Sequence, residues 1–348
     1  MARNLASIQK IVAIEPIPGA DNIEVATVLG WHCVVKKGDF VTGDLCVYFE
    51  IDSLLPQIPQ FEFLASRGTS KIEDGTTGYK VKTIRLRKQV SQGLAIKTSE
   101  FPQVAGMDEG SDVTDLLGVV QWYPIIPANM KGLVKGNFPS FIPKTDETRV
   151  QNLQRVLTRY AGTRCYVTEK IDGTSVTYYL KDGEFGVCSR NMELQETSEN
   201  LYWSMARKLD IEKKLRDLNA GNIAIQGEIY GQVQGNHLGI EGTHLAIFNV
   251  FDIDNFRYLD FERLKKTVEV LGLELVPVLT DCFRLHDNID DLVNMSVAKS
   301  VINPKKWREG IVIRPLTEQL DLEMSKGLNN ARLSFKVINP EYLIANNE

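Results

Sequence analysis

The sequence predicts two domains of different kinds: a small N-terminal OB-fold β-barrel, then a larger α+β domain built on antiparallel sheets. Three observations carry this. The chain has 348 residues, more than one compact core normally holds, so two domains are the natural division. Its first third is dense in β-branched residues broken by Gly-containing turns. From Cys165 onward, strand-like runs mix with segments of helical periodicity. The expected boundaries are 1–117 for the barrel, 118–142 for a linker lying against the second domain, and 143–348 for the α+β domain.

Five segments of the first third read as strands: Leu5 to Ile14, Ile23 to Val35, Leu45 to Ile51, Tyr79 to Leu86 and Leu94 to Ile96. Pro18-Gly19-Ala20-Asp21, Lys37-Gly38-Asp39 and Thr42-Gly43-Asp44 supply turns between them. About five short strands of this kind suit a closed OB barrel. Residues 68–78 read as a long mobile loop. Period two along Lys82–Lys88 places Lys82, Ile84, Leu86 and Lys88 on one face and Thr83, Arg85 and Arg87 on the other. A face with two arginines could bind phosphates; a solvated edge strand guarded by charge fits equally well.

Residues 118–141 are rich in Pro, Gly and aromatics without clear periodicity, as expected of a linker. Thr145 or Asp146 then offers an N-cap. Val150, Leu153, Val156, Leu157 and Tyr160 recur at helical spacing, and Gly162 ends the run. A long helix is expected over Ser198 to Leu218, with others at Phe261 to Leu271 and Ile289 to Ser300. Strands are expected at Ile223 to Tyr230, Leu245 to Ile253, Gly310 to Arg314 and Leu333 to Ile338.

Composition narrows the function. The hydrophobic fraction of 43% and charged fraction of 24% are ordinary for a soluble globular protein. The formal net charge of -5 excludes a generally basic nucleic-acid coat, so a nucleic acid would have to meet a local basic patch. The cysteines, Cys33, Cys46, Cys165, Cys188 and Cys282, are odd in number and form no C-x-x-C pair. Reduced thiols in a cytoplasmic or nuclear compartment are expected, with no disulfide frame or zinc site and no secretion. His32, His237, His244 and His286 are isolated, and each reads as structural. No signal-peptide core and no membrane-length apolar run is apparent. A monomer without membrane association is expected.

The most informative segment is Thr168-Glu169-Lys170-Ile171-Asp172-Gly173-Thr174-Ser175. Tyr166, Val167 and Thr168 read as a buried strand, Asp172-Gly173 as a tight turn, and Val176 to Leu180 as the return strand of a hairpin. Lys170 would be held at the hairpin end, pointing into a cleft. Taken alone, an ordinary surface hairpin with a solvated lysine fits as well, so the segments downstream decide. Gln226-Gly227-Glu228-Ile229-Tyr230-Gly231 puts a carboxylate at a strand end between glycines. Ile247-Phe248-Asn249-Val250-Phe251-Asp252-Ile253 is a buried strand offering aromatic rings. Arg308-Glu309-Gly310-Ile311-Val312-Ile313-Arg314 starts a strand with a second carboxylate. Ser334-Phe335-Lys336-Val337 carries a second lysine. Glycine beside each acid would let backbone approach a ligand closely.

This order, with Cys188-Ser189-Arg190-Asn191 between the first two segments, resembles the covalent nucleotidyltransferase superfamily of ATP-dependent polynucleotide ligases and mRNA capping enzymes. Within it the chain is similar to the RNA ligases with an N-terminal OB domain, the fifth RNA ligase family. The likeness extends to Leu86-Arg87-Lys88-Gln89-Val90-Ser91-Gln92-Gly93-Leu94 and Phe141-Ile142-Pro143-Lys144-Thr145-Asp146, so it covers nearly the whole chain. Only a short tail follows Lys336, too short for the C-terminal OB domain of DNA ligases and capping enzymes. The N-terminal barrel is expected to take its place. The family's last motif is often K-x-K, whereas here its first position is Ser334. Arg332 or Lys326 is expected to supply the missing charge.

The resemblance implies an ATP-dependent ligase that seals nicks in RNA or RNA-containing duplexes, with Mg²⁺ or Mn²⁺. Lys170 would attack the α-phosphorus of ATP, expelling pyrophosphate, and pass AMP to an RNA 5′-phosphate; a 3′-OH would then attack that end and release AMP. A free lysine has a pKa of ~10.4, so neighbouring positive charge, from metal or Lys336, must lower it. By position, Glu228 would accept the ribose hydroxyls, and Phe248 would stack on adenine with Phe251 as alternate. Glu309, with Asp172 as a weaker candidate, would hold metal through water, and Lys336 would contact the α-phosphate. Thr168, Asp172 and Gly173 belong to the nucleotide pocket, Arg190 to the ribose or RNA end, and Lys144 and Arg149 to the leaving pyrophosphate. Arg85, Arg87, Ser91 and Gln92 would touch RNA. A capping-type guanylyltransferase and a catalytically silent nucleic-acid binder of the same fold are the alternatives. An NAD-dependent DNA ligase lacks support, since no nicotinamide-binding extension or zinc finger is apparent.

Overall fold

The computed structural model describes residues 4–122, 133–197, 199–233, 237–324 and 331–347. The chain forms two compact units. One comprises Ala2–Pro127, Gln151–Gln154 and Leu343–Glu348, the other Ala128–Val150 and Arg155–Tyr342.

In the first unit an antiparallel sheet runs in the order Leu94–Lys97, Leu45–Phe49, Ala6–Pro16, Ile23–Val28, Trp31–Lys36. The run read as a strand from Ile23 to Val35 is a hairpin. It turns at Leu29-Gly30, where Leu29 takes a φ of 54°, and Val28 pairs with Trp31. The sheet curls back on itself through the segment before Leu94. Gln92 N donates to His32 O at 2.8 Å, and Ser91 Oγ accepts from Val34 N at 2.9 Å. Trp31, Tyr48, Phe49, Phe61 and Phe101 fill the interior. The expected loop at 68–78 holds a short hairpin, Ser70–Lys71 with Thr77–Lys80. The expected strand from Tyr79 to Leu86 also breaks: Ile84–Leu86 pairs with Gln89–Ser91 across Arg87-Lys88, both left-handed at φ 49° and 71°. The two-faced stripe over Lys82–Lys88 therefore does not exist as one strand.

The second unit holds two sheets. The larger runs Val134–Asn137, Met192–Leu194, Glu184–Cys188, Thr174–Lys181, Ile223–Gly231, Thr243–Asp252, Arg257–Tyr258, with Glu274–Leu275 added parallel. The smaller runs Thr148–Arg149, Phe335–Ile338, Gly310–Pro315, Arg164–Lys170, Val278–Arg284. All its pairs are antiparallel except the first, which is parallel. The described ends of the expected linker are strands too: Val120–Gln121 pairs with Ser53–Leu54, and Val134–Asn137 with Met192–Leu194.

Alternation gives each face of the larger sheet its job. Val176, Tyr178, Ile223, Ile225, Ile229, Leu245 and Ile247 bury against helices Leu201–Lys208, Ile211–Leu218 and Phe261–Val270. Ser175, Thr177, Gln226 and Glu228 point to the other face. The expected long helix from Ser198 is two helices. Asn200 caps the first by accepting from Tyr202 N and Trp203 N, and Asp210, at φ 52°, breaks the run. The expected helix from Thr145 is a short strand, a 3₁₀ turn over Val150–Asn152 and a helix over Gln154–Arg159. Here Thr148–Arg149 finds a parallel partner in Phe335–Lys336, and that pairing overrides the helical spacing.

Lys170-Ile171-Asp172-Gly173 is not a hairpin turn. Arg164–Lys170 belongs to the smaller sheet and Thr174–Lys181 to the larger, so the segment is a crossover between sheets. Gly173 is required by close approach rather than by a left-handed turn: a Cβ there would lie 2.3 Å from Ile229 O and 3.0 Å from Glu228 Cγ. Gly310 behaves alike, with a Cβ 2.3 Å from Val337 O. These glycines let strands, not a ligand, come close. Gly173→Ala is expected to lower unfolding stability by about 1–3 kcal/mol through overpacking. Urea titration checks this, and an unchanged midpoint and slope would contradict the close-approach reading.

Candidate active site

Lys170 is the last residue of its strand and pairs across the sheet with Gly310. This register places Glu309 beside it, and Lys170 Nζ lies 2.7 Å from Glu309 Oε2. The crossover then carries Asp172 and Gly173 onto Glu228, which sits on the open face of the larger sheet opposite Ser175 and Ala246. Three carboxylates thus surround one lysine. Burial pulls the Lys170 ammonium down, but Glu309, Glu228 and Asp172 outweigh it and hold Lys170 above its usual value. Expectation and structure differ here: the surrounding carboxylates keep Lys170 protonated. Burial pushes the Glu228 carboxyl up to about 8, Lys170 opposes the shift, and the charges of Glu309 and Asp172 reinforce it.

Facing this acidic group is a cationic one. Lys336 pairs with Arg149 on one side and Val312 on the other, in the same row as Thr168. Burial, and then the charges of Arg149, Lys170 and Arg190, push its ammonium down to about 7. Thr168 is buried two residues before Lys170, on the same face. Arg190, in the turn between Glu184–Cys188 and Met192–Leu194, pairs with Asp146. Asp146 is therefore an ion-pair partner and not a helix cap. Lys144 is exposed and reaches Asn191 Oδ1 at 3.1 Å, and Thr145 Oγ1 lies 2.6 Å from Ser175 Oγ. The 144–146 segment is thus tied to the 189–191 turn and to the larger sheet.

The two phenylalanines separate. Gln226 pairs with Asn249 but Gly227 pairs with Ile247, so Phe248 is the extra residue of a β-bulge, a feature that re-aims side chains. Its ring is partly exposed and packs beside Ile171, Tyr230 and Ala246, with the Arg314 guanidinium 5.9 Å above. Phe251 is 1% exposed and sealed among Ile142, Tyr179, Ala224 and Ile253. The structure therefore removes it as a stacking candidate.

Other expectations are corrected. Ser91 and Gln92 are buried, with Ser91 Oγ accepting from Val34 N and Gln92 Nε2 donating to Thr83 Oγ1, so neither side chain is presented at the surface for RNA. Arg85 and Arg87 are exposed. Arg332 is buried against Glu318 and Asn249, with its guanidinium 3.8 Å over the Tyr258 ring. Burial favours the neutral form, but Glu318 outweighs it and raises the Arg332 pKa. Arg332 is a core ion pair and does not complete the last motif. Lys326 lies outside the described residues. The cation beside Ser334 is Arg314, whose Nε donates to Ser334 Oγ at 2.9 Å and whose Nη2 meets Glu147 Oε1 at 2.9 Å.

Sequence reading missed Arg314, Glu147 and His237. Arg314 and Glu147 carry no spacing signal, because their pairing joins residues far apart in the chain. His237 Nδ1 lies 2.9 Å from Asp172 Oδ2 and 2.9 Å from the Tyr342 hydroxyl, so it orients the carboxylate next to Lys170. Among the described residues no group of three or more His, Cys, Asp and Glu could cage a metal alone. Glu309 and Asp172 each keep one oxygen outside the bonds described, and hard oxygen donors at that spot fit a divalent cation also held by water and phosphate.

The chain matches an OB-fold domain model over residues 5–98 and an RNA ligase model over residues 163–338. Solved structures of Naegleria gruberi RNA ligase superpose on it throughout. The one with PPi has a TM-score of 0.87 at 38% identity and covers 98% of each chain. A mutant with AMP and Mn gives 0.88 at 38% identity and 98% of each chain. A mutant with ATP and Mn gives 0.87 at 38% identity, with 97% of this chain and 98% of the other. The chain belongs to the RNA ligase family. No curated protein matches it. The family's fold is thus the one described: an OB-fold domain followed by an α+β domain.

The Glu228 shift has a readable consequence for this ligase. A carboxyl whose folded pKa is about 8 against an ordinary 4.5 binds a proton in the folded state that the unfolded chain lacks between those values. Stability therefore falls as pH rises through that window. Glu228→Gln removes the titration, so its stability relative to the parent is expected to increase from pH 4.5 to 8. Urea unfolding across the range checks it, and a pH-independent difference would contradict it.

Proposed function

We propose that the chain is an ATP-dependent RNA ligase that seals nicks between a 3′-OH and a 5′-phosphate through a lysyl-AMP intermediate. The observation that carries this is Lys170, held at a strand end 2.7 Å from Glu309 with Glu228, Asp172 and Lys336 about it. The Naegleria relatives with ATP, AMP, Mn and PPi supply the ligand set such a reaction needs.

In the first step Lys170 Nζ forms a bond to the α-phosphorus, the bond to the β-phosphate oxygen breaks, pyrophosphate leaves, and the amine loses its proton to solvent. Lys336, with Arg149 and Arg190 near it, holds the phosphate oxygens. An anion among these cations relieves their repulsion, so Lys336, poised near pH 7, takes up a proton when the phosphates bind. Lys144 and Arg149 orient the leaving pyrophosphate. Glu228, largely protonated at neutral pH, can both accept from and donate to ribose hydroxyls, and the partly exposed Phe248 ring stacks on adenine. A divalent cation held through Glu309 and Asp172 oxygens would neutralise the carboxylates that keep Lys170 protonated. An RNA 5′-phosphate oxygen then attacks the phosphorus of Lys170-bound AMP and frees the lysine. Finally the 3′-OH attacks the adenylylated end, forming the phosphodiester and expelling AMP.

Incubation with α-labelled ATP or GTP and Mg²⁺, followed by a denaturing gel, tests this. Label from ATP, lost in Lys170→Ala, is expected; label from GTP alone, or none from either, would overturn the reading. A nick ending in a 3′-ribose should seal faster than an all-DNA nick, and equal rates would refute the RNA preference. Because His237 positions Asp172, His237→Ala should slow adenylylation about 10–100-fold while leaving the thermal midpoint within a few degrees. An unchanged rate would remove His237 from this role.

A further inference from the structure

A basic loop lies beside the strand that carries Lys170. Residues 297–307, Val297-Ala298-Lys299-Ser300-Val301-Ile302-Asn303-Pro304-Lys305-Lys306-Trp307, contain three lysines and no acid, in a chain of net charge -5. All three lysines are exposed. Lys135 and Lys213, also exposed in this unit, lie against carboxylates. Lys305 and Lys306 have no ion pair among the described residues, and Lys299 lies 3.7 Å over the Trp307 ring.

The loop is built to hold a shape. Lys299 bridges Trp307 at its neck, and Ser300 N donates to Lys306 O at 3.0 Å. Arg308 is buried just beyond and donates to Ser296 O. Asn303 ties the tip to Leu238 O at 2.7 Å and caps Lys305 N at 3.1 Å. The deepest anchor is Glu169, 1% exposed, which accepts from Ser300 Oγ and from Val301 N at 2.8 Å. Glu169 immediately precedes Lys170, and Trp307 stands two residues before Glu309. Strand alternation turns Glu169 away from the face that carries Lys170, so the lysines flank the pocket rather than line it.

Resting on the RNA ligase reading, we infer that Lys299, Lys305 and Lys306 form a phosphate-backbone contact for the RNA duplex, used when the nick is bound and not when ATP reacts. A cluster of exposed cations without carboxylate partners among the described residues, on an otherwise acidic chain, fits a polyanion, and its anchorage to the residue before the nucleophile fixes it relative to the reacting ends. Contacts of this kind position a strand without reading its sequence.

The test uses the full chain, a nicked RNA duplex and the Lys305→Ala/Lys306→Ala double variant. Self-adenylylation with labelled ATP should match the parent. Nick affinity, by fluorescence anisotropy at 0.1 M salt, should fall roughly ten-fold. The slope of log affinity against log salt should flatten by about 0.7–0.9 for each lysine that contacts a phosphate. Lys305→Arg/Lys306→Arg should restore binding. Unchanged affinity and salt slope, or a loss of adenylylation matching the loss of binding, would overturn the inference. A parent protein that takes no label would count against the proposed function and not against this loop.

Discussion

The pair between Lys170 and Glu309 is the constraint around which the second unit is organised. Neither residue is brought there by a local turn. Lys170 ends a strand of the smaller sheet, Glu309 begins that strand's neighbour, and the register that aligns Lys170 with Gly310 sets them side by side. The crossover through Asp172 and Gly173 then presses the larger sheet's Glu228 against the same point. An ammonium beside these carboxylates resists losing its proton, while burial, reinforced by Glu309 and Asp172 and opposed by Lys170, raises the Glu228 carboxyl. These surroundings are electrostatically the opposite of what a nucleophilic amine needs. In the proposed reaction, activation arrives with the positive charge that accompanies the substrate.

A second network holds the cationic side of the site in place. Glu147 is buried, which disfavours its charge, yet Arg314, Arg332 and the Ser334 hydroxyl keep its pKa below the usual carboxylate range. Asn249 accepts from Arg332 at 2.8 Å and donates to Gln226 Oε1 at 3.0 Å, and Gln226 donates to Pro143 O at 2.8 Å. These bonds run from the larger sheet to the 143–149 segment, so Lys144, Asp146 and Arg149 are presented by a braced stretch of chain. Breaking one member would leave a buried charge without its partner, a costly state.

The legible parts of the sequence were those whose cause is local. The strands at Ala6–Pro16 and Leu45–Phe49 follow from β-branched runs and Gly turns. The open face bearing Glu228 follows from alternation, and the family motifs pointed to Lys170, Glu309 and Lys336. Features set by distant partners were not legible. Asp172-Gly173 resembles a hairpin turn in sequence, and only pairing of its flanks to different sheets reveals a crossover. Thr145–Tyr160 has helical spacing, but a parallel partner at Phe335–Lys336 wins part of it. Ser91 and Gln92 lie in a motif-like stretch, yet their hydrogen bonds close a barrel. Phe248 and Phe251 fit one spacing equally, and a single bulge residue separates a partly exposed ring from a core one. Arg332 looked like a motif cation, and Glu318 claims it.

The central claim is that this lysine, in this ring of carboxylates, becomes bonded to AMP. Peptide mapping by mass spectrometry after incubation with ATP and Mg²⁺ tests it most directly. The account predicts an AMP adduct on the peptide containing Lys170, located at that side chain and released by added pyrophosphate. An adduct on Lys336 or another residue, or no adduct with the fold intact, would contradict it.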